Sequence, residues 1–254
     1  MAQRNSPECR QGSQARQRHL KDSSTLNFIP DRSRPGLTTT AISAVDLQGA
    51  GGNWATVGKE VEEGGECTDR KRRGKETRWK GSKARSIGAG FKLFYYGVDS
   101  KRNGVGVVLK EEFVRNVLEV KRVSDRVMSL KLEIEGVMLN VVSGYAPQVG
   151  CELEEKERFW SELDEVMESI PTGERVVIGT DFNGHVGEGN TGDEEVMGKF
   201  EVKERNLEGQ MVVDFAKRMD MAVVNTYFQK REEHRVTYKS GGRRTQVDYV
   251  EEAI

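Results

Sequence analysis

At 254 residues, 35% hydrophobic and 32% charged, the chain is polar for a globular protein, which fits one domain plus a segment that builds no core. A net charge of -1 excludes a globally basic nucleic-acid binder, and three scattered cysteines, Cys9, Cys67 and Cys151, exclude a Cys-rich metal cage or disulfide framework. No apolar run approaches the roughly 18 residues of a membrane span, and no apolar core marks a secretory signal. The expectation is an intracellular protein, nuclear or cytoplasmic, with no membrane partner and no obligate protein partner.

Residues 1–75 are dominated by Gln, Arg, Ser, Gly and Thr, with Phe28 and Trp54 as their only aromatics, and are expected to be a disordered or unrelated tail. From Thr68 to Arg85 nine basic residues face two acids, a local charge of +7. This run, including Arg70, Arg72, Arg73, Lys75, Arg78 and Lys80, could track DNA phosphates with Trp79 stacking on a base, or be a solvated charged stretch. Order is expected from about Glu76. Phe91 to Tyr96 and Val105 to Leu109 read as strands of a hairpin around the turn-like Asp99 to Gly104. Met128 to Ile134 alternates apolar and polar residues, Glu135-Gly136 turns, and Val137 to Ser143 returns as a strand ending in Gly144-Tyr145-Ala146-Pro147.

Glu152 to Ile170 has apolar residues at helical spacing and carries eight acids against two bases up to Glu168, with Pro171 as its stop. Val176 to Ile178 reads as a short buried strand that Gly179 ends. A loop follows to about Glu204, then a second amphipathic helix through Val212, Phe215, Ala216 and Met219, and a strand from Met221 to Asn225. Arg235 to Lys239 and Thr245 to Val250 flank Ser240 to Arg243 as a hairpin. Hairpins interspersed with two helices predict an α+β sandwich with active groups at one end of the strands.

Asp181 and Asn183 sit two apart at the exit of the Val176 strand, where extended geometry would aim both side chains to one side. A carboxylate beside a neutral amide suits phosphate-ester hydrolysis: the acid can polarise a water or hold Mg²⁺, and the amide can contact a phosphoryl oxygen. The same residues, Asp-Phe-Asn-Gly, also compose an ordinary turn. His185 and His234 lie in polar loops and are expected to be solvated.

Four segments in order, KETRWKG around Glu76, SGYAP around Tyr145, GTDFNGHVG around Asp181 and QVDYV around Asp248, resemble the endonuclease/exonuclease/phosphatase superfamily over about residues 76–250. The wording ETRWKGSKARSIGAGFKLFYYGVDSKRNGVGVVL and REEHRVTYKSGGRRTQVDYV is closer to the endonuclease domain of RTE-type non-LTR retrotransposons and the craniofacial development protein 2-like group derived from it. The resemblance implies a DNase I-like, four-layer α/β/β/α sandwich, incomplete here, over residues 76–254. It further implies that Glu76 binds Mg²⁺, Tyr145 contacts the scissile phosphate, Asp181 orients or deprotonates the attacking water, Asn183 holds a phosphoryl oxygen and Asp248 orients a histidine.

The family pattern opens with an asparagine-bearing strand and closes with a histidine motif. Upstream, only Asn27 in TLNFIP is a candidate, judged too far from Glu76, and no histidine follows Asp248. The resulting expectation is a transposon-derived domain, descended from a Mg²⁺-dependent DNA phosphodiesterase and truncated at both ends, with little or no activity in this form. The alternative is an active metal-dependent DNA endonuclease; a lipid or inositol phosphatase is a third reading on the same fold.

Overall fold

The computed structural model describes residues 26–30, 38–42, 81–98, 103–189, 192–200, 204–229, 238–240 and 243–253. Glu76 and the basic residues from Arg70 to Lys80 lie outside the described residues, as does His234.

Strands β1 (Leu26–Pro30), β2 (Thr38–Ile42), β3 (Gly81–Gly88), β4 (Phe91–Gly97) and β5 (Val105–Lys110) form one sheet in the order β1-β2-β5-β4-β3. A single helical turn, α1 (Glu111–Val114), leads on to β6 (Val117–Ser124), β7 (Val127–Ile134) and β8 (Val137–Tyr145). Helix α2 (Leu153–Glu168), β9 (Arg175–Asp181), helix α3 (Leu207–Arg218), β10 (Met221–Val223) and β13 (Asp248–Ala253) follow. The second sheet runs β10-β13-β9-β8-β7-β6, and β11 (Tyr238–Ser240) with β12 (Arg243–Thr245) makes a separate hairpin.

The two sheets bury one core between them, from Phe94, Val105, Val107 and Leu109 on the first to Met128, Leu130, Leu132, Val141 and Tyr145 on the second. The opposite face of the second sheet, with Val142, Val176, Ile178, Met221 and Tyr249, packs under α2 and α3. Helix α2 presents Phe159, Leu163 and Val166 at spacings of four and three residues, which is one helical face. Helix α3 buries Val212, Val213, Phe215 and Ala216. Each large side chain removed from water here stabilises the fold by about 1.5–3 kcal/mol. The described residues thus form three of the four layers of an α/β/β/α sandwich in the α+β class. Among them no helix is long and apolar enough to cross a membrane.

Several elements differ from expectation. Two strands fall within the stretch expected to be disordered, and β2 adds to the first sheet parallel to β5. β1, which includes Asn27, lies against β13 and β9. Gly179 does not end its strand: β9 continues to Asp181, paired parallel with β8 and antiparallel with β13. The final hairpin is β11 with β12, and β13 is a separate strand that begins at Asp248.

One buried charge stands out in the helix-side core. Glu251 lies between Ile178 of β9 and Val223 of β10, fully buried, with no hydrogen-bond partner among the described residues for either carboxylate oxygen. Burial drives its pKa well above the usual carboxylate range. A raised folded-state pKa contributes stability below the unfolded value, which is lost as pH rises through the folded one. The Glu251→Gln variant is therefore expected to melt above wild type at pH 8 and to lose most of that advantage at pH 4, read by circular-dichroism melts.

Candidate active site

The site is assembled by register. Tyr145 at the end of β8 pairs with Asp181 at the end of β9, and Asp181 pairs with Asp248 at the start of β13. Directly paired residues on neighbouring strands share a face, with strand axes about 4.8 Å apart. Tyr145 belongs to the core between the sheets, so all three side chains stand on that face, in one row at one end of the second sheet. Asp248 and Tyr145 are buried, Asp181 half-buried.

The backbone fixes the row from behind. The Ala146 N–H donates to Asp181 O at 2.9 Å and the Phe182 N–H to Val247 O at 2.9 Å, so the pairing extends one residue beyond β8 and β9. Asn183 then leaves the strand at φ +50°, a left-handed conformation that asparagine tolerates better than most residues. Its N–H donates to Asp181 Oδ1 at 3.0 Å, closing a side-chain turn, and its Nδ2 donates to Ala146 O at 2.8 Å. The turn reading of this stretch is realised, and it is the turn that ties Asn183 to the Asp181 carboxylate. Extended geometry is not what does so.

Phe182, between them, points the other way and stacks on Trp160 of α2, with centroids 5.7 Å apart and planes 10° apart. The following loop is clipped to α3 by Asn206, whose Oδ1 accepts from the Gly209 N–H at 2.9 Å as a helix cap and from the His185 N–H at 2.8 Å. Gly209 is obligatory at this contact, since an added Cβ would meet His185 O at 1.8 Å. Gly209→Ala is expected to cost about 3 kcal/mol, because the obstacle is backbone and one element must move; thermal or urea denaturation reads the loss.

His185 is not the solvated loop residue expected from sequence. It is half-buried, and its Nδ1 lies 3.1 Å from Gln246 O, two residues before Asp248, which ties the loop after Asn183 to the entry of β13.

The row sets two carboxyls, one buried and one half-buried, beside the Tyr145 phenol. Burial pushes the Asp181 carboxyl up to about 6, against an opposing hydrogen bond from the Asn183 N–H. The Tyr145 phenol is also raised, first by burial and then by the Asp181 charge, with a hydrogen bond from Gln148 acting the other way. The linkage sign follows: stability falls as pH rises from about 3.8 to about 6, because the unfolded chain ionises Asp181 before the folded one does. Asp181→Asn should therefore be more stable than wild type above pH 6 by on the order of 2–3 kcal/mol, and equal to it below pH 4, in denaturation at the two pH values.

Of the residues singled out by sequence, Tyr145, Asp181, Asn183 and Asp248 come together, while Glu76 lies outside the described residues. Among the described residues no group of three His, Cys, Asp or Glu is placed to hold a metal ion. Sequence reasoning passed over Arg126. It is buried at the start of the β6–β7 return, and its Nη1 donates to Tyr145 O at 3.1 Å. No sequence pattern marks it, because its partner lies 19 residues away and is a carbonyl.

Comparison with known proteins adds sequence and structural relatives. No family model matches the chain. Craniofacial development protein 2 from Tragulus javanicus is 27% identical over 161 residues, which cover 62% of this chain and 28% of that protein, and the Bos taurus protein matches equally. The chain thus spans little more than a quarter of the length of these relatives. Among solved structures, the endonuclease domain of TRAS1, a telomere-specific non-LTR retrotransposon, aligns at TM-score 0.44 and 12% identity over 66% of this chain and 68% of that one. An endonuclease/exonuclease/phosphatase family protein from Leptotrichia buccalis aligns at TM-score 0.41 and 11% identity over 98% and 83%. The chain is therefore similar to craniofacial development protein 2 in sequence, and its structural neighbours are members of the endonuclease/exonuclease/phosphatase family, a non-LTR retrotransposon endonuclease domain among them.

Proposed function

We propose that the domain is a transposon-derived endonuclease-like phosphodiesterase whose substrate class is DNA. The observation that carries this reading is the register row Tyr145–Asp181–Asp248 with Asn183 folded back beside Asp181. A phosphodiester attacked by water needs a group to orient and deprotonate the water, donors for the phosphoryl oxygens, and compensation for developing charge. Asp181, with its carboxyl near 6, is ionised at neutral pH and takes the water proton. The Tyr145 hydroxyl, held protonated by its raised pKa, donates to a phosphoryl oxygen. The Asn183 amide has a second N–H beyond the one given to Ala146 O, available to another phosphoryl oxygen. Asp248 is the carboxylate that would orient an imidazolium.

The row suits a hard divalent cation in the kind of its donors: its side chains offer oxygens, and Mg²⁺ needs only one or two carboxylates beside water and phosphate. Glu76 is the residue that would hold it, and the ion would offset the charge gathering on the phosphoryl group. The basic run Arg70 to Lys80 would follow the DNA backbone.

A second reading is favoured by the Asn183–Ala146 bond, which commits the amide to the scaffold: a domain that retains the pocket and binds DNA but turns over weakly or not at all. Supercoiled-plasmid nicking by the full chain with Mg²⁺, with and without chelator, tests the proposal. Chelator-sensitive nicking supports catalysis. Absence of nicking together with binding that weakens steeply with salt supports the second reading, and absence of both overturns the DNA assignment.

A further inference from the structure

We infer that Arg126 is the positioning residue of the proposed site: it locks Tyr145 by backbone, ring and charge at once, and couples that lock to helix α2. The inference deepens the phosphodiesterase reading and rests on it for the role of Tyr145, while its physical content stands independently.

Three contacts converge on one side chain. The Arg126 Nη1 donates to Tyr145 O at 3.1 Å, and the Tyr145 N–H donates to Arg126 O at 2.9 Å, so the two residues clasp each other through main chain and side chain. The guanidinium carbon stands 5.2 Å from the Tyr145 ring centroid, over its face. The second terminal nitrogen, Nη2, pairs with Glu155 in the first turn of α2. The neighbouring Ser124 hydroxyl accepts from the Arg126 N–H at 3.1 Å and donates to Glu162 Oε2 at 2.6 Å, a second tie to the same helix.

This arrangement suits a task that a buried apolar residue could not perform. Tyr145 sits beside the Asp181 anion, which disfavours any phenolate character and weakens the phenol as a donor to developing negative charge. A cation over the aromatic face acts in the opposite sense, and the field of Arg126 draws the phenol pKa down. A planar guanidinium can bond a carbonyl, pair with a carboxylate and lie over a ring simultaneously; an ammonium cannot. Arg126 thus holds the ring that carries the hydroxyl and, together with the Gln148 hydrogen bond, acts against the burial and Asp181 charge that weaken it as a donor, without touching a substrate.

Ultraviolet titration of tyrosine in the full chain, with Tyr145→Phe identifying the Tyr145 component, reads this directly and needs no catalysis. Arg126→Met is expected to raise the Tyr145 midpoint, and Arg126→Lys to raise it by less. An unchanged midpoint in folded Arg126→Met overturns the inference. Should that variant fail to fold, wild-type NMR decides: Arg126 side-chain protons over the ring carry an upfield ring-current shift that Tyr145→Leu removes, and its absence from the wild-type spectrum overturns the inference as well. If nicking is observed, Arg126→Lys should lower kcat several-fold with KM little changed. A chain that cuts no DNA but shows the midpoint shift sinks the phosphodiesterase reading and leaves Arg126 as the keeper of Tyr145.

Discussion

Replacing Asp181 with alanine is expected to reduce Mg²⁺-dependent plasmid nicking by about 10²- to 10⁴-fold, the span associated with losing a positioned proton acceptor. The reason is geometric. Asp181 is the middle of the row, paired with Tyr145 on one side and Asp248 on the other, and it also accepts the Asn183 N–H at 3.0 Å. Alanine removes the proposed base and the anchor of the turn together, whereas Asp181→Asn keeps a hydrogen-bond acceptor at that position and removes only the proposed base. The two variants should therefore be similarly inactive, with alanine the less stable of the two above pH 6. Nicking rates measured beside circular-dichroism melts check both statements. Retention of wild-type nicking in Asp181→Asn would remove Asp181 from the chemistry.

The second large effect concerns the residue between the two site side chains. Phe182→Ala should cost about 3–5 kcal/mol, the usual penalty for deleting a buried aromatic and leaving a cavity. Phe182 is almost fully buried in the helix-side core and stacks on Trp160, which also meets Phe159 at 5.3 Å and Phe215 at 5.4 Å. One side chain of the Asp-Phe-Asn triplet is thus anchored on Trp160 of α2 in the helix-side core, and the two on either side are what it holds in place. Urea denaturation measures the loss; a cost below about 1 kcal/mol would show that the loop does not depend on the stack. Nicking should fall more than the folded fraction does, since a loosened Phe182 frees Asp181 and Asn183 before the domain unfolds.

Much of this arrangement can be read from sequence where side chains face different media. Met128, Leu130, Leu132 and Ile134 alternate with polar residues, and β7 forms there; Phe159, Leu163 and Val166 recur at helical spacing, and α2 buries them. Legibility fails where backbone pairing overrides side-chain preference. β3, GSKARSIG, has a largely exposed face pattern and pairs only with β4, at the edge of its sheet, so no alternation announces it. Gly179 suggested a strand end because glycine weakens strands, yet two flanking strands hold β9 extended through it.

The site was legible as residue types in order, and its juxtaposition was not. Nothing local tells Tyr145, Asp181 and Asp248 that they are register partners; that follows from β8 running parallel to β9 and β13 antiparallel to it. Asn183 reaches Asp181 through a positive φ that the period-two expectation did not contain. Arg126 and Glu251 escaped, and His185 reads as solvated from sequence, for the same reason, since the atoms that define their surroundings belong to other elements: Tyr145 O, the apolar Ile178 and Val223, and Gln246 O.

The central claim is that one end of the second sheet, between the two sheets, is a phosphate-handling pocket. The most direct test is an NMR titration of the full chain with a short DNA duplex and Ca²⁺, which supports binding at oxygen-rich sites without requiring turnover. The expected result is that Tyr145, Asp181, Asn183 and Asp248 shift together, at lower DNA concentration than residues of β3 or the outer face of α2. Shifts confined to surfaces away from these four, with the row unmoved at saturating DNA, would contradict the account.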